Sequence, residues 1–270
     1  MALPAHKISF LESCLSANVL KFGTFTLKSG RRMSPQHPPP YTNTDLIESP
    51  YFFNAGIFNT ASLLSALSTA YAHTIIAFLA ENPSIPKPDI IFGYCPFPVN
   101  LSPPTNLSRP AYKGIPLACA TLLELNRIDP ATWGSVCYSY NRKEAKDHGE
   151  GGNIVGAALK DKTVLVIDDV ITAGTAMRET LNLVAQQGGK VVGFAVALDR
   201  LEKMPGPKDA NGVEDDAPRM SAMGQIRKEY GVPTTSIVTL DDLIKLMKEK
   251  GNEEDMKRLE QYRAKYQASD

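Results

Sequence analysis

The sequence lacks an excess of charge of either sign. Among its 270 residues, 29 are Lys or Arg and 29 are Asp or Glu, so the formal charge is zero. A neutral chain without a basic tract has no general electrostatic surface for nucleic acid or an anionic membrane. We therefore predict no nucleic-acid partner and no membrane partner, and we expect any anion-binding site to be local.

The sequence also lacks the marks of an oxidising or membrane compartment. Its four cysteines show no C-x-x-C pair and no histidine at metal-site spacing, which is typical of free thiols. The first residues show no secretory signal pattern. The longest apolar stretch, 61–80, is interrupted by serine, threonine and histidine, which favours a buried or amphipathic helix over a membrane span. We expect a cytoplasmic protein.

Apolar segments of strand length alternate with helical periodicity along most of the chain. Hydrophobic residues make up 43% of the sequence, enough for a packed core. This alternation predicts an α/β fold with a doubly wound, mainly parallel sheet, which binds ligands at the carboxyl ends of its strands. The predicted strands are 25–27, 49–54, 89–93, 136–140, 164–167, 190–198 and the edge strand 235–240, and the main predicted helices are 6–19, 59–79, 117–125, 241–248 and 251–270.

The most informative segment is 164–180, which reads VLVIDDVITAGTAMRET. Its four leading apolar residues predict a buried parallel strand that ends at Asp168 and Asp169. A short loop, 170–175, then leads into a helical pattern. A strand, a tight loop and a helix in this order place a phosphate at the N-terminus of the helix, where backbone N–H groups lack partners.

The residue types of that loop suit a sugar phosphate. Thr172 and Thr175 offer hydroxyl donors, and Gly174 allows a close backbone approach. Asp168 and Asp169 can accept hydrogen bonds from vicinal hydroxyls, as carboxylates do for ribose in open α/β sheets. The alternative is a helix cap beside a solvated acidic pair. A Walker A loop is excluded because no Gly-Lys-Ser/Thr follows.

A run of charged residues follows the predicted strand 136–140. Residues 141–152 end in glycines and have no apolar anchor, which is typical of a mobile loop that closes over an active site. A single charge run is more often an ordinary solvated loop. The residues alone leave both interpretations open.

The segment 164–180 resembles the phosphoribosyl-pyrophosphate (PRPP) signature of the type I phosphoribosyltransferases. Four further segments resemble the orotate phosphoribosyltransferase family of fungal and bacterial type: 25–31, 49–54, 111–116 and 140–152. The charged segment 142–149 is highly specific for that family. The resemblance implies a type I phosphoribosyltransferase fold, one domain over residues 1–270, with a small hood built from N-terminal and C-terminal segments.

The resemblance also implies a reaction, the transfer of ribose 5-phosphate from PRPP to N1 of orotate. The products are orotidine 5′-monophosphate and pyrophosphate, in the pathway to UMP. Pyrophosphate must leave while the anomeric carbon becomes cationic, so preorganised positive charge and Mg²⁺ are expected. We expect the Mg²⁺ to be bound mainly through PRPP and pyrophosphate, and we assign it no protein ligand.

Site residues follow from the resemblance, position by position. The catalytic group comprises Lys143, Arg142, Lys146, His148, Asp168 and Asp169. PRPP is expected to contact Lys28, Tyr112, Lys113, Arg142, Lys143, Lys146, His148, Asp168, Asp169, Val170, Ile171, Thr172, Ala173, Gly174, Thr175 and Ala176. Orotate is expected to contact Phe52, Phe53, Thr172 and Arg200. The resemblance further implies a homodimer in which loop 142–149 completes the neighbouring site.

Three segments depart from the family pattern. Pro-rich insertions at about 32–48 and 94–110 interrupt it, and 203–221 is a polar excursion. The insertions are either loop extensions or translated non-coding sequence, and sequencing the mature transcript distinguishes the two. Loop closure entropy grows by only about 0.6 kcal/mol per doubling of length, so real insertions are compatible with folding.

Other functions remain as alternatives. The first is a PRPP-binding regulatory protein or an inactive relative with the same fold. A regulator that binds nucleic acid needs a basic face or an appended helix-turn-helix. Neither is indicated by the sequence. The second is a phosphoribosyltransferase for another base, against which Phe52, Phe53 and Arg200 argue. For the adjacent aromatics, plain core packing is the alternative to stacking on a base.

Overall fold

A computed structural model gives the fold and describes residues 3–28, 46–95, 113–146, 152–171, 174–207 and 215–270. The chain alternates strands and helices, as predicted. The strands are β1 (Leu20–Lys28), β2 (Leu46–Phe53), β3 (Ile90–Gly93), β4 (Cys137–Lys146), β5 (Gly152–Gly156), β6 (Thr163–Val170), β7 (Lys190–Asp199) and β8 (Thr234–Thr239). The helices are α1 (Ala5–Ser16), α2 (Ala61–Glu81), α3 (Gly114–Ile128), α4 (Pro130–Trp133), α5 (Thr175–Gln186), α6 (Ala222–Tyr230), α7 (Leu240–Glu249) and α8 (Glu253–Tyr266), with a 3-10 turn at Ala55–Ile57.

Six strands form the central sheet in the order β5-β4-β3-β6-β7-β8. All neighbouring pairs are parallel except β4 and β5. From β3 the chain first adds β4 on one side and later adds β6 on the other, so the topology switches between β3 and β6. Open α/β sheets bind ligands at such a switch point. The prediction of a doubly wound, mainly parallel sheet is confirmed.

The central sheet has a helical layer on each face. On β6, Leu165 and Ile167 pack into one layer and Val164 and Val166 into the other, because successive side chains of a strand point to opposite faces. The first layer contains α2, α3 and α7, and the second contains α5 and α6. Burial on both faces explains why β6 and β7 are almost continuous apolar runs in the sequence.

Helix α2 is long and apolar enough to cross a membrane by length and composition alone. It instead packs against α1, α3, β7 and β8, and Leu67, Tyr71 and Ile75 on it are buried. This is the packing of a core helix, which the interrupted apolar stretch predicts. The four cysteines are free thiols, also as predicted.

A small hood sits beside the central sheet. Strands β1 and β2 pair antiparallel as a separate two-stranded sheet. Helix α8 packs on β2, and its Arg258 Nη2 donates a hydrogen bond of 2.8 Å to Thr24 Oγ1 on β1. Helix α1 is joined to α7 by the ion pair of Lys7 Nζ and Asp242 Oδ2, 2.9 Å apart. The N-terminal and C-terminal segments therefore build the hood together, as expected.

The prediction of a loop from residue 141 onward was wrong over its first half. Strand β4 continues to Lys146 and pairs antiparallel with β5, with an irregularity between Asn141 and Lys146. Arg142, Lys143 and Lys146 therefore lie on a strand. An antiparallel hairpin at the sheet edge can expose one face to water, so it needs no apolar run. Residues 147–151 lie outside the described part of the chain.

The described ends of the predicted insertions and of the polar excursion make regular contacts. Residues 46–48 belong to β2. Cys95 is held on both sides by buried Asn141, whose Oδ1 accepts from Cys95 N at 2.8 Å and whose Nδ2 donates to Cys95 O at 2.6 Å. In the polar excursion, Met204 N donates to Met220 O at 2.9 Å and closes the base. Residues 29–45, 96–112 and 208–214 lie outside the described residues.

Candidate active site

Two carboxylates lie at the carboxyl end of β6, beside the topological switch point. The Oδ1 of Asp168 accepts a hydrogen bond of 2.9 Å from the backbone N–H of Asp169. The carbonyl of Asp168 accepts one of 2.7 Å from the hydroxyl of Tyr71, a fully buried residue of α2. Burial and the neighbouring Asp169 raise the pKa of Asp168 well above its ordinary value. Without a cationic ligand, this end of β6 therefore resists carrying two negative charges.

Lys113 supplies a positive charge at the same place. Its Nζ lies 2.7 Å from Asp169 Oδ2. Lys113 directly precedes α3, whose first residue, Gly114, meets the end of β3. A Cβ on Gly114 would lie 2.3 Å from Tyr94 O, and a Cβ on Gly93 would lie 2.2 Å from Gly114 O. The start of α3 can approach the end of β3 this closely only because both positions are glycine. This approach brings Lys113 across β3 to the end of β6.

Helix α5 points its N-terminus at the loop after β6. Gly174 precedes the helix with a φ of 68°, a left-handed conformation that glycine adopts without strain. No side chain of the described residues caps the helix, so within this part of the chain the first backbone N–H groups of α5 remain available to an anion. Val170, Ile171, Thr175 and Ala176 flank this position, whereas Thr172 and Ala173 lie outside the described residues.

Arg200 follows β7, the neighbour of β6, and is 8% exposed. Its Nε donates a hydrogen bond of 2.6 Å to Glu202 Oε1, and its Nη2 donates one of 2.9 Å to the Tyr262 hydroxyl. Nη2 also lies 3.5 Å from Ser49 Oγ on β2. The guanidinium therefore joins three parts of the chain: the end of β7, the hood sheet and α8.

The two adjacent phenylalanines of β2 have different surroundings. Phe53 lies 6.2 Å from Phe58 and 6.5 Å from Phe10, centroid to centroid, and so packs toward the hood core. Phe52 is 37% exposed and packs against Phe25 at 5.7 Å. Of the two, Phe52 has a ring face that can meet a ligand.

Other expected site residues are described only in part. Lys28 ends β1 opposite Leu46, and Arg142, half-buried, lies on β4. Lys143 and Lys146 share that strand, but their side chains lie outside the described part, as do Tyr112 and His148 altogether.

An open groove of about 600 Å³ separates the hood sheet from α8. Two of its lining residues, Ser49 and Tyr262, are also contacts of Arg200. The groove therefore shares two residues with the surroundings of Arg200. Its lining residues are Thr24, Ser49, Pro50, Arg258, Gln261, Tyr262, Lys265 and Tyr266.

Reasoning from the sequence missed several residues that support this site. Tyr71 lies within an apolar helix, and nothing in the sequence distinguishes it from residues that only pack in the core. Glu202 and Tyr262 lie 60 residues apart in the sequence, and no motif connects them. Only the fold brings them to Arg200.

The chain is similar to known proteins in sequence and in fold. A family model described as the phosphoribosyl transferase domain matches residues 110–215. The chain is 49% identical over 269 residues to an orotate phosphoribosyltransferase of Neurospora crassa, covering 100% of this chain and 99% of the relative. A Metarhizium anisopliae protein of the same name is 48% identical over 268 residues, covering 99% and 98%. A crystal structure of orotate phosphoribosyltransferase from Francisella tularensis superimposes with a TM-score of 0.66 at 32% identity and covers 96% of each chain.

Proposed function

The chain belongs to the orotate phosphoribosyltransferase family, and from this premise we propose how its residues carry out the reaction. The enzyme is a pentosyltransferase. It transfers ribose 5-phosphate from PRPP to N1 of orotate and releases orotidine 5′-monophosphate and pyrophosphate, in pyrimidine biosynthesis.

One observation carries the proposed PRPP site, the contact of Lys113 with Asp169 beside the open N-terminus of α5. We infer that Asp168 and Asp169 accept hydrogen bonds from the ribose hydroxyls. The first N–H groups of α5 bind the 5-phosphate. Lys113 then exchanges Asp169 for the pyrophosphate of PRPP, whose negative charge is larger than that of one carboxylate. The substrate thus replaces an internal ion pair.

The β4–β5 hairpin is the proposed source of positive charge in the transition state. Arg142, Lys143, Lys146 and His148 would face the leaving pyrophosphate, where fixed charge stabilises the developing anion. Closure of this segment would also exclude water that hydrolyses PRPP. Lys143→Ala should lose most turnover while PRPP binding persists, and unchanged turnover would remove that lysine from the mechanism.

We propose a homodimer in which segment 142–149 completes the site of the partner. The support is the exposure of large apolar side chains, since Leu123 on α3 is 72% exposed and Tyr138 on β4, a strand of the hairpin, is 39% exposed. Mixing inactive Lys143→Ala subunits with inactive Asp168→Asn subunits tests the arrangement. A shared site predicts that the mixture regains activity, because some dimers then carry one intact site.

Orotate would bind between the hood and the end of β7. Phe52 offers the exposed ring face, Phe53 shapes the slot from the hood core, and Thr172 lies on the PRPP loop. Arg200 would recognise the carboxylate of orotate, since a guanidinium binds carboxylates through paired N–H groups.

Mg²⁺ is the proposed cofactor, held mainly by oxygens of PRPP and pyrophosphate. Among the described residues no group of three or more His, Cys, Asp or Glu side chains could hold a metal ion. Asp168 and Asp169 are hard oxygen donors, which suit an ion that keeps most of its waters and substrate ligands. When bound, the ion neutralises charge on the pyrophosphate.

The decisive experiment is orotate-dependent release of pyrophosphate from PRPP with Mg²⁺, with loss of orotate absorbance followed on the same sample. We expect both signals from the native chain and neither from Asp168→Asn/Asp169→Asn. Tight PRPP binding without turnover would contradict the proposal and indicate a regulatory or inactive relative. Signal in both channels also establishes that the Pro-rich segments permit activity.

A further inference from the structure

The guanidinium of Arg200 is surrounded by four residues that we call the Arg200 clamp: Ser49, Tyr51, Glu202 and Tyr262. Ser49 and Tyr51 belong to β2 of the hood, Glu202 follows β7, and Tyr262 belongs to α8. The ring centroid of Tyr51 lies 5.0 Å from Arg200 Cζ, a distance at which a cation is attracted to an aromatic face.

The hydrogen bonds within the clamp form a closed triangle. Arg200 Nε donates to Glu202 Oε1 at 2.6 Å, and Arg200 Nη2 donates to the Tyr262 hydroxyl at 2.9 Å. That hydroxyl in turn donates to Glu202 Oε1 at 2.6 Å. Burial and the adjacent Glu202 raise the pKa of Tyr262, so its hydroxyl keeps the proton that it donates.

The hydrogen bonds of the triangle use one edge of the guanidinium and leave the opposite edge without a partner among the described residues. Nε and Nη2 both have partners, whereas Nη1 makes no hydrogen bond to any residue that the structure describes. An arginine has five N–H donors in a rigid plane, so fixing one edge fixes the direction of the opposite edge. The clamp therefore sets where Nη1 points.

We propose that Tyr262 and Glu202 are positioning residues for orotate: they hold Arg200 so that its Nη1 edge meets the carboxylate of the substrate. This inference rests on the proposed role of Arg200. It extends substrate recognition to α8, whose Tyr262 ring also packs edge-on against Tyr51 at 6.2 Å. The C-terminal helix thus contributes to selection of orotate without touching it.

The test is Tyr262→Phe, which removes the hydroxyl and keeps the ring. We expect the orotate KM to rise about tenfold, because Arg200 then no longer holds its Nη1 edge in one direction for the carboxylate. The KM for PRPP and kcat should stay within about twofold, since a positioning effect on ground-state binding leaves kcat unchanged. Equal effects on both KM values would indicate loss of structure and overturn the inference.

Tyr266→Phe is the matched control on the same helix. Its ring lies 4.8 Å from that of Tyr262, but its hydroxyl makes no hydrogen bond with any described residue. We expect no change in either KM. Glu202→Gln is the second test variant, because it keeps an acceptor and removes the charge, and we expect a smaller rise in orotate KM than for Tyr262→Phe. An unchanged orotate KM in both test variants overturns the inference.

A double-mutant cycle separates this inference from the role of Arg200 itself. If Arg200 binds orotate, Arg200→Gln raises the orotate KM strongly, and Tyr262→Phe adds little in that background because both changes remove the same interaction. If Arg200→Gln leaves the orotate KM unchanged, the proposed role of Arg200 fails. If Arg200→Gln raises it but the two effects are additive, only the clamp inference fails.

Discussion

The two halves of the candidate site are built in different ways. The half to which we assign PRPP, called the PRPP half, lies at the ends of β3 and β6. It depends on close backbone contacts at Gly93 and Gly114 and on an ion pair between Lys113 and Asp169. The orotate half, around Arg200, depends on side-chain hydrogen bonds from three separate segments. The first half is therefore set by backbone geometry and the second by a network that can rearrange.

The halves also differ in charge balance. In the PRPP half, Asp168 and Asp169 are adjacent, and burial disfavours a second negative charge. In the orotate half, Arg200 faces Glu202 at hydrogen-bond distance, so opposite charges are matched. This difference supports our proposal that the acidic pair is organised for an incoming charged ligand, at a cost in stability without it.

Of the variants that test this contrast between the two halves, Gly114→Ala is expected to have the largest effect on stability and PRPP binding. The added Cβ would lie 2.3 Å from Tyr94 O and 2.7 Å from Tyr94 N, both backbone atoms that cannot move aside cheaply. We expect a loss of about 3 kcal/mol or more in the free energy of unfolding, together with loss of PRPP binding. Urea unfolding and PRPP titration measure the two effects.

Gly231→Ala is the control for backbone conformation without a clash. Gly231 has a φ of 64°, and apart from its chain neighbours no heavy atom of the described residues lies within 4 Å of an added Cβ. We therefore expect a cost of about 1 kcal/mol and normal PRPP binding. If Gly114→Ala is no more destabilising than Gly231→Ala, the close approach of α3 to β3 is not what organises the PRPP half.

Lys113→Ala is expected to have the next largest effect, and only on one substrate. It removes the one positive charge that contacts Asp169 among the described residues. We expect the PRPP KM to rise on the order of tenfold to a hundredfold, because a charge-assisted hydrogen bond to phosphate is lost. The orotate KM should change by less than about twofold.

Lys162→Ala tests whether that effect is specific. Lys162 Nζ lies 3.9 Å from Asp89 Oδ1 on a half-exposed surface, and such pairs contribute about 0–1 kcal/mol. We expect no change in either KM. A rise in orotate KM as large as that for PRPP in Lys113→Ala would mean that the two halves are not separate.

The same contrast explains what the sequence could predict. Val164 to Thr180 carries a strand, two carboxylates, a turn glycine and a helix in contiguous order, so local rules suffice for this segment of the PRPP half. Lys113 was assigned by resemblance, and its approach to Asp169 past Gly93 and Gly114 depends on the fold. Tyr262 reaches Arg200 only through the packing of α8 on the hood, and its periodicity is that of any buried helical residue. Strand β5 was missed because Gly152–Gly156 is short, and it pairs with a charged strand that has no apolar run.

The last prediction is a pH dependence of stability, and it distinguishes the two halves through Asp168. Burial and Asp169 raise the pKa of Asp168 to about 8, against about 3.9 in an unfolded chain. Between these values the folded state binds more protons, so the stability contribution is fully present below about pH 4 and is lost as pH rises toward about 8. Asp168→Asn should remove this loss, and urea unfolding at pH 5 and pH 9 measures it.

Asp89 is the control of opposite sign, because hydrogen bonds from Thr163 lower its pKa. Asp89→Asn should therefore lower the free energy of unfolding above about pH 4. If Asp168→Asn is no more stable than the native chain at pH 9, the acidic pair does not destabilise the folded state. The two halves then differ in geometry alone.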